Sequence, residues 1–173
     1  ATLAGLLKVT DQLIGADRCL VVLSADHGVD DIPEARLAAG RAAGRFDPAV
    51  LRTGSNRALR AALGVDADLV TAFVPPGFHL DHERIRSLGL GAADVADALV
   101  AHLVSQPGVM AAYTRERVLR GEGPPTAIFG RVRRSVHPTR SGDVVIVQAP
   151  HWYLYPDATG YAAMHGRVTG RIG

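Results

Sequence analysis

Apolar positions along this chain switch between a helical and a strand period, and the switches divide it into elements. Leu3, Leu6, Leu7, Leu13 and Ile14 recur at helical spacing and Gly15 supplies a stop, so a helix over 3–14 is predicted. Cys19, Leu20, Val21, Val22 and Leu23 form an unbroken apolar run of strand length, which ends on Ser24-Ala25-Asp26-His27-Gly28. Between 29 and 54, Pro33, Pro48, several glycines and many charges predict a surface excursion with at most a short helix around 34–43. A helix over 56–63 ended by Gly64 follows, then a strand over 69–74 stopped by Pro75-Pro76, with 78–80 as a second strand. Val95, Leu99, Val100, Leu103 and Val104 share one helical stripe within 91–105, and after Pro107-Gly108 the segment 109–113 is strand-like. Strand character returns at 143–148 behind the turn-like Arg140-Ser141-Gly142. The aromatic run His151-Trp152-Tyr153-Leu154-Tyr155 and a loop through Pro156, Asp157 and Gly160 then lead to Met164-His165-Gly166.

This alternation predicts an α/β sandwich with a mainly parallel sheet. Residues 1–54 and 141–173 are assigned to the α/β core portion, and 55–140 to an α+β insertion lobe. With 173 residues, 47% apolar and 21% charged, the chain has enough apolar content for a moderate core. No apolar run approaches the roughly 20 residues of a membrane-spanning helix, so no membrane span is expected. The N-terminus lacks the basic-then-apolar layout of a secretory signal.

Charge adds little. The net charge is +2, and the single lysine, Lys8, among so many arginines reads as a compositional bias. Arg115, Arg117, Arg120, Arg131, Arg133, Arg134 and Arg140 crowd one stretch that could meet phosphate groups, yet no interleaved aromatic platform accompanies them. Binding of a nucleic acid polymer is therefore not expected. Cys19, the only cysteine, can form no intramolecular disulfide and reads as a small core residue.

The chemistry concentrates at the end of the first apolar run. Carboxylate and neutral imidazole are ligands that zinc accepts, and a strand tip in an α/β sheet is where such proteins place their ligand crevice. Asp26 and His27 are accordingly candidate metal ligands. An Asp after a strand also serves as a cap or turn former, so the pair alone leaves both readings open. His79 and His82 flank Asp81 at tempting spacing but fall in the lobe, and His102 reads as a half-exposed helical residue. His151 is a candidate for contact with a substrate or with a metal ligand, whereas Trp152, Tyr153 and Tyr155 read as packing residues between lobe and sheet.

Three motifs in order carry a resemblance. "VVLSADHGVDDIPE" at 21–34 is similar to the strand-DHG segment of the alkaline phosphatase superfamily, in particular its phosphate-irrepressible alkaline phosphatase and type I phosphodiesterase/nucleotide pyrophosphatase branch. "RSGDVVIV" at 140–147 and "GYAAMHG" at 160–166 resemble that branch's downstream strand and metal-binding HG turn. The resemblance implies a two-zinc phosphoesterase of alkaline-phosphatase-like α/β fold, with Asp26 and His27 on one zinc and His165 on the other. Two such cations hold the attacking and leaving oxygens of an in-line displacement at a small-molecule phosphate ester.

Departures from the family pattern set further expectations. The family's nucleophilic Thr or Ser, an upstream metal-binding Asp and an Asp-x-x-x-His pair precede the DHG strand, and neither Asp11 nor Asp17 has a His four positions on. The chain therefore reads as a C-terminal portion with an incomplete sheet, inactive alone and prone to self-association along the sheet edge. The resemblance implies a periplasmic or secreted location. Two alternatives stay open: a sulfatase, phosphonate hydrolase or phosphoglycerate-mutase-like relative on the same metal scaffold, or a non-catalytic α/β binding module.

Overall fold

The computed structural model describes residues 2–24 and 28–155. The first helix, α1 (Leu3–Ile14), starts where the Thr2 hydroxyl accepts a hydrogen bond from Gly5 N, and none of its residues is buried. After a single 3₁₀ turn, 19–24 run without regular secondary structure, and Leu20, Val21, Val22 and Leu23 are exposed. The strand predicted at 19–23 is thus corrected. A run of β-forming residues becomes a strand only against a neighbour that takes its N–H and C=O groups, and the described residues supply none here.

The excursion that follows is more ordered than its prolines suggested. Pro33 opens a short helix, α2 (Pro33–Ala38), at the one position where a missing N–H costs nothing, and β1 (Gly44–Arg45) comes next. Pro48 plays the same part in α3 (Pro48–Leu63). The Asp47 carboxylate caps that helix by accepting from Ala49 N at 2.8 Å and Val50 N at 3.3 Å, and Gly64, in the left-handed region at φ 66°, ends it. The helix thus begins before the 56 expected from the hydrophobic pattern, because Pro48 stands in its first turn and does not break it.

The four-stranded sheet has the order β2-β3-β5-β4, with β2 (Val70–Val74), β3 (Gly77–Leu80), β4 (Val109–Thr114) and β5 (Val144–Gln148), and all its pairings are antiparallel. Every residue of β5 is buried, as an inner strand covered on both faces must be. β5 pairs with β3 and β4 of the lobe, so the division at 141 suggested by the sequence runs through one hydrogen-bonded sheet. Parallel pairing joins β1 to β6 (Trp152–Tyr153), with Gly44 opposite Trp152 and Arg45 opposite Tyr153. The protein is thus of mixed α/β class, with a parallel pair and a larger antiparallel sheet.

Helix α3 and α5 (Ala92–Leu103) cover one face of the antiparallel sheet. Leu59, Leu69, Phe78, Val95, Leu99, Leu103 and Val144, each 0–1% exposed, form the centre of the core. A buried amide fixes α3 on the sheet: Asn56 Oδ1 accepts from Leu69 N at 2.9 Å and Val70 N at 2.7 Å, while its Nδ2 donates to Val70 O at 3.0 Å. Three short helices, α4 (His82–Ser87), α6 (Arg115–Arg120) and α7 (Ala127–Ser135), fill stretches that the hydrophobic pattern did not mark.

Candidate functional site

The loop after the Asp26-His27-Gly28 motif is held by a residue distant in sequence, His151. His151 Nδ1 lies 2.7 and 2.9 Å from the two carboxylate oxygens of Asp30, across 121 positions of sequence. Both side chains are largely withdrawn from water, at 19% and 9% exposed. His151 adopts φ 63°, a left-handed conformation that a β-carbon makes costly, so the surroundings over-determine its place. When Nδ1 carries the proton toward the carboxylate, Nε2 is left as the acceptor, the usual arrangement of an oriented imidazole.

Two further contacts reinforce the clamp. The Tyr153 hydroxyl, on a fully buried side chain, donates to Asp31 O at 3.3 Å. Arg45 reaches back to Glu34 in α2 with a two-pronged pair, Nε to Oε1 at 2.6 Å and Nη2 to Oε2 at 2.9 Å, while its guanidinium stands 5.7 Å over the Tyr153 ring. The guanidinium of Arg45 lowers the Glu34 carboxyl to about 2. His151 just before β6, Tyr153 of β6 and Arg45 of β1 therefore hold 30–34 through Asp30, Asp31 and Glu34.

Of the sequence-predicted site residues, Asp26, His27 and His165 lie outside the described residues. His151 is described and contacts Asp30. Among the described residues no group of three or more His, Cys, Asp or Glu side chains is placed to hold a metal ion. His82 and His102 lie in the lobe. His82 Nε2 lies 2.9 Å from Asp143 Oδ1, and Asp81 caps α4 through a bond from Arg84 N. Asp143 also accepts from Arg115 Nη2 and from Leu80 N, each at 2.8 Å, which ties α6 and β3 to the start of β5. His102 on α5 is held below the ordinary imidazole value by its partial burial and by the nearby Arg57.

Part of the arginine-rich stretch is spent on ion pairs. Arg115 meets Asp143, Arg117 meets Asp97, and Arg120 bridges Glu122 and Glu116. Sequence reasoning passed over Asp30, Glu34 and Arg45. Nothing in the spacing marks them, because their partners come from elements that meet only in the folded chain.

No family model matches the chain. It is 28% identical over 158 residues to the alkaline phosphatase PhoK of Sphingomonas sp, with 85% of this chain and 28% of that protein covered. To the alkaline phosphatase PhoD of Zymomonas mobilis subsp. mobilis it is 28% identical over 155 residues, covering 85% and 27%. To a calcium-transporting ATPase of Myroides odoratus it is 27% identical over 151 residues, covering 87% and 27%. The crystal structure of wild-type alkaline phosphatase PafA shares the fold, with a TM-score of 0.79 at 24% identity over 95% of this chain and 30% of that one. The chain spans less than a third of the length of these relatives. No helix among the described residues is long and apolar enough to cross a membrane.

Proposed function

Because the chain is a relative of the alkaline phosphatase superfamily, we propose that it carries metal-binding residues of a phosphate-ester hydrolase. Asp26 and His27 would ligate one zinc ion and His165 a second. The donor chemistry fits, since a carboxylate and neutral imidazoles are what this cation takes. When bound, two such ions supply a clamp for the attacking and leaving oxygens of an in-line displacement at phosphorus.

The described residues do the positioning. Asp30 and His151 fix the loop that begins at Gly28, and the Arg45–Glu34 and Tyr153–Asp31 contacts hold α2 and the loop on the β1–β6 pair. A ligand held by a supported backbone keeps its direction, which is what metal affinity depends on. The observation that carries the reading is the Asp30–His151 contact. It joins the stretch just after the Asp-His-Gly motif to the aromatic segment 151–155, which precedes Met164-His165-Gly166 in the sequence.

The substrate class is a small phosphate ester, monoester or diester, and a periplasmic or secreted location accompanies this reading. No nucleophile is assigned within the chain, and hydrolysis by it alone is expected to be negligible. Elemental analysis of the dialysed protein tests the metal assignment. Zinc retained by the parent and lost in both Asp26→Ala and His165→Ala is the expected result. A parent that holds no zinc after dialysis against it overturns the assignment.

A further inference from the structure

A cavity of about 500 Å³ lies on the face of the antiparallel sheet that α3 and α5 leave uncovered. Its volume is in the range of small-molecule sites. Side chains alternate along β5: Val144 and Ile146 belong to the core, so Val145 and Val147 point the other way and line the cavity. Val132 and Val136 line it from the α7 side, and Pro75 and Pro76 from the β2–β3 turn. From this lining and the charge beside it we infer that the cavity binds a fatty acid, its acyl chain along β5 and its carboxylate at Arg140.

The space follows from how α7 is seated. Phe129, near the start of the helix, is buried, and its ring meets Tyr113 of β4 edge-on at 5.2 Å between centroids. Val132 in the last turn and Val136 at the C-cap share one side of the helix, yet both are only half-buried. The helix is thus pinned at one end and stands off the sheet at the other, where close packing would normally leave no void larger than a water molecule. From Gly142 to Val147 the strand side of the cavity is roughly 17 Å long at about 3.4 Å per residue, which suits an extended chain. Val74, 61% exposed, carries the apolar lining out to the surface.

The charge has one sign. No carboxylate lines the cavity, and its one permanent charge is Arg140. That side chain is exposed and enters no ion pair among the described residues. Arg131, Arg133 and Arg134 of the α7 stretch are likewise outside the ion pairs there, whereas Arg115, Arg117 and Arg120 are paired with acids. A single guanidinium at the rim of a valine-lined trough matches a molecule with one anion at the end of an apolar chain. A small polar anion would leave the apolar length of the trough unused.

The inference uses none of Asp26, His27 and His165, and it stands or falls apart from the metal assignment. Equilibrium dialysis against radiolabelled decanoate, below its micelle concentration, is expected to show saturable binding of one molecule per chain. Hexanoate should compete at least about tenfold more weakly, since each methylene withdrawn from water is worth about fourfold in affinity. 1-Decanol should also compete about tenfold more weakly, as loss of a charge-assisted bond implies. Arg140→Gln should weaken decanoate by about tenfold and leave 1-decanol unchanged. Val136→Trp, which fills the cavity from a half-buried position, should abolish binding, with the melting temperature reporting whether the fold is kept. Leu13→Asn, on the exposed apolar side of α1, should bind like the parent and so separates the cavity from general adhesion to apolar surface. Absence of binding, several molecules per chain, 1-decanol competing as well as decanoate, undiminished binding in Arg140→Gln or in a folded Val136→Trp, or loss of binding in Leu13→Asn would each overturn the inference.

Discussion

The lobe built on the antiparallel sheet and the segment before α2 are both rich in leucine and valine, yet they use them in opposite ways. In the lobe, Leu59, Leu69, Leu99 and Leu103 are 0–1% exposed, and polar groups inside it, such as the Asn56 amide, have their partners. In α1, Leu3, Leu6 and Leu13 are 50%, 61% and 79% exposed, and Leu20 after it is 93% exposed. The same residue types at the same helical spacing thus mark α1 and α5 alike, and among the described residues only α5 has something to pack against. Amphipathic period is a request for a partner, and burial is the answer.

The largest effect that would sharpen this contrast is in the core. Leu99→Ala should destabilise the protein by about 2–5 kcal/mol in chemical denaturation, because it leaves a cavity between α5 and the sheet. Leu13→Ala in α1 should cost less than about 0.5 kcal/mol, as exposed substitutions do. Comparable costs at the two positions would mean that α1 packs as tightly as α5, and the contrast would be broken.

A smaller effect lies at the boundary between the two regions. Asp30→Ala removes the anchor of the loop after the Asp-His-Gly motif, and hydrogen exchange at 28–36 should speed up while the amides of β3 and β5 keep their protection. Faster exchange throughout the sheet would show that loop and lobe open as one unit instead.

The smallest effect is electrostatic. Arg45 lowers the Glu34 carboxyl from its ordinary 4.5 to about 2. A carboxyl depressed in the folded state adds stability above its unfolded value, and that stability is lost as pH falls through the folded one. Glu34→Gln should therefore flatten the fall of the melting temperature between about pH 4.5 and about pH 2, modestly, since exposed pairs are well screened. An unchanged acid profile would leave the Arg45–Glu34 pair without a share in holding α2.

Much of the lobe was legible in the sequence because its signals are local. The helical stripe from Val95 to Val104 became α5, and the apolar runs at 69–74, 78–80, 109–113 and 143–148 became the four strands of one sheet. Pro33 and Pro48 misled the reading, since a proline stops a helix in its interior and starts one at its first turn, and only the cap at Asp47 distinguishes the cases. The helices over 115–120 and 127–135 went unmarked because arginines fill the stretch, and several of those arginines are held by acids on other elements.

At the candidate site, sequence alone picked out His151 and the motif before Asp30, and it brought the α/β class and the superfamily resemblance with it. What it could not determine was that His151 meets Asp30, that Arg45 meets Glu34, or that the Trp152 ring lies against Gly44 and Gly108. A side chain's type and spacing fix what it can bond to. Which partner it finds is decided by the register of β1 on β6 and of β5 between β3 and β4, where the burial of a whole sheet outweighs the preference of any one residue.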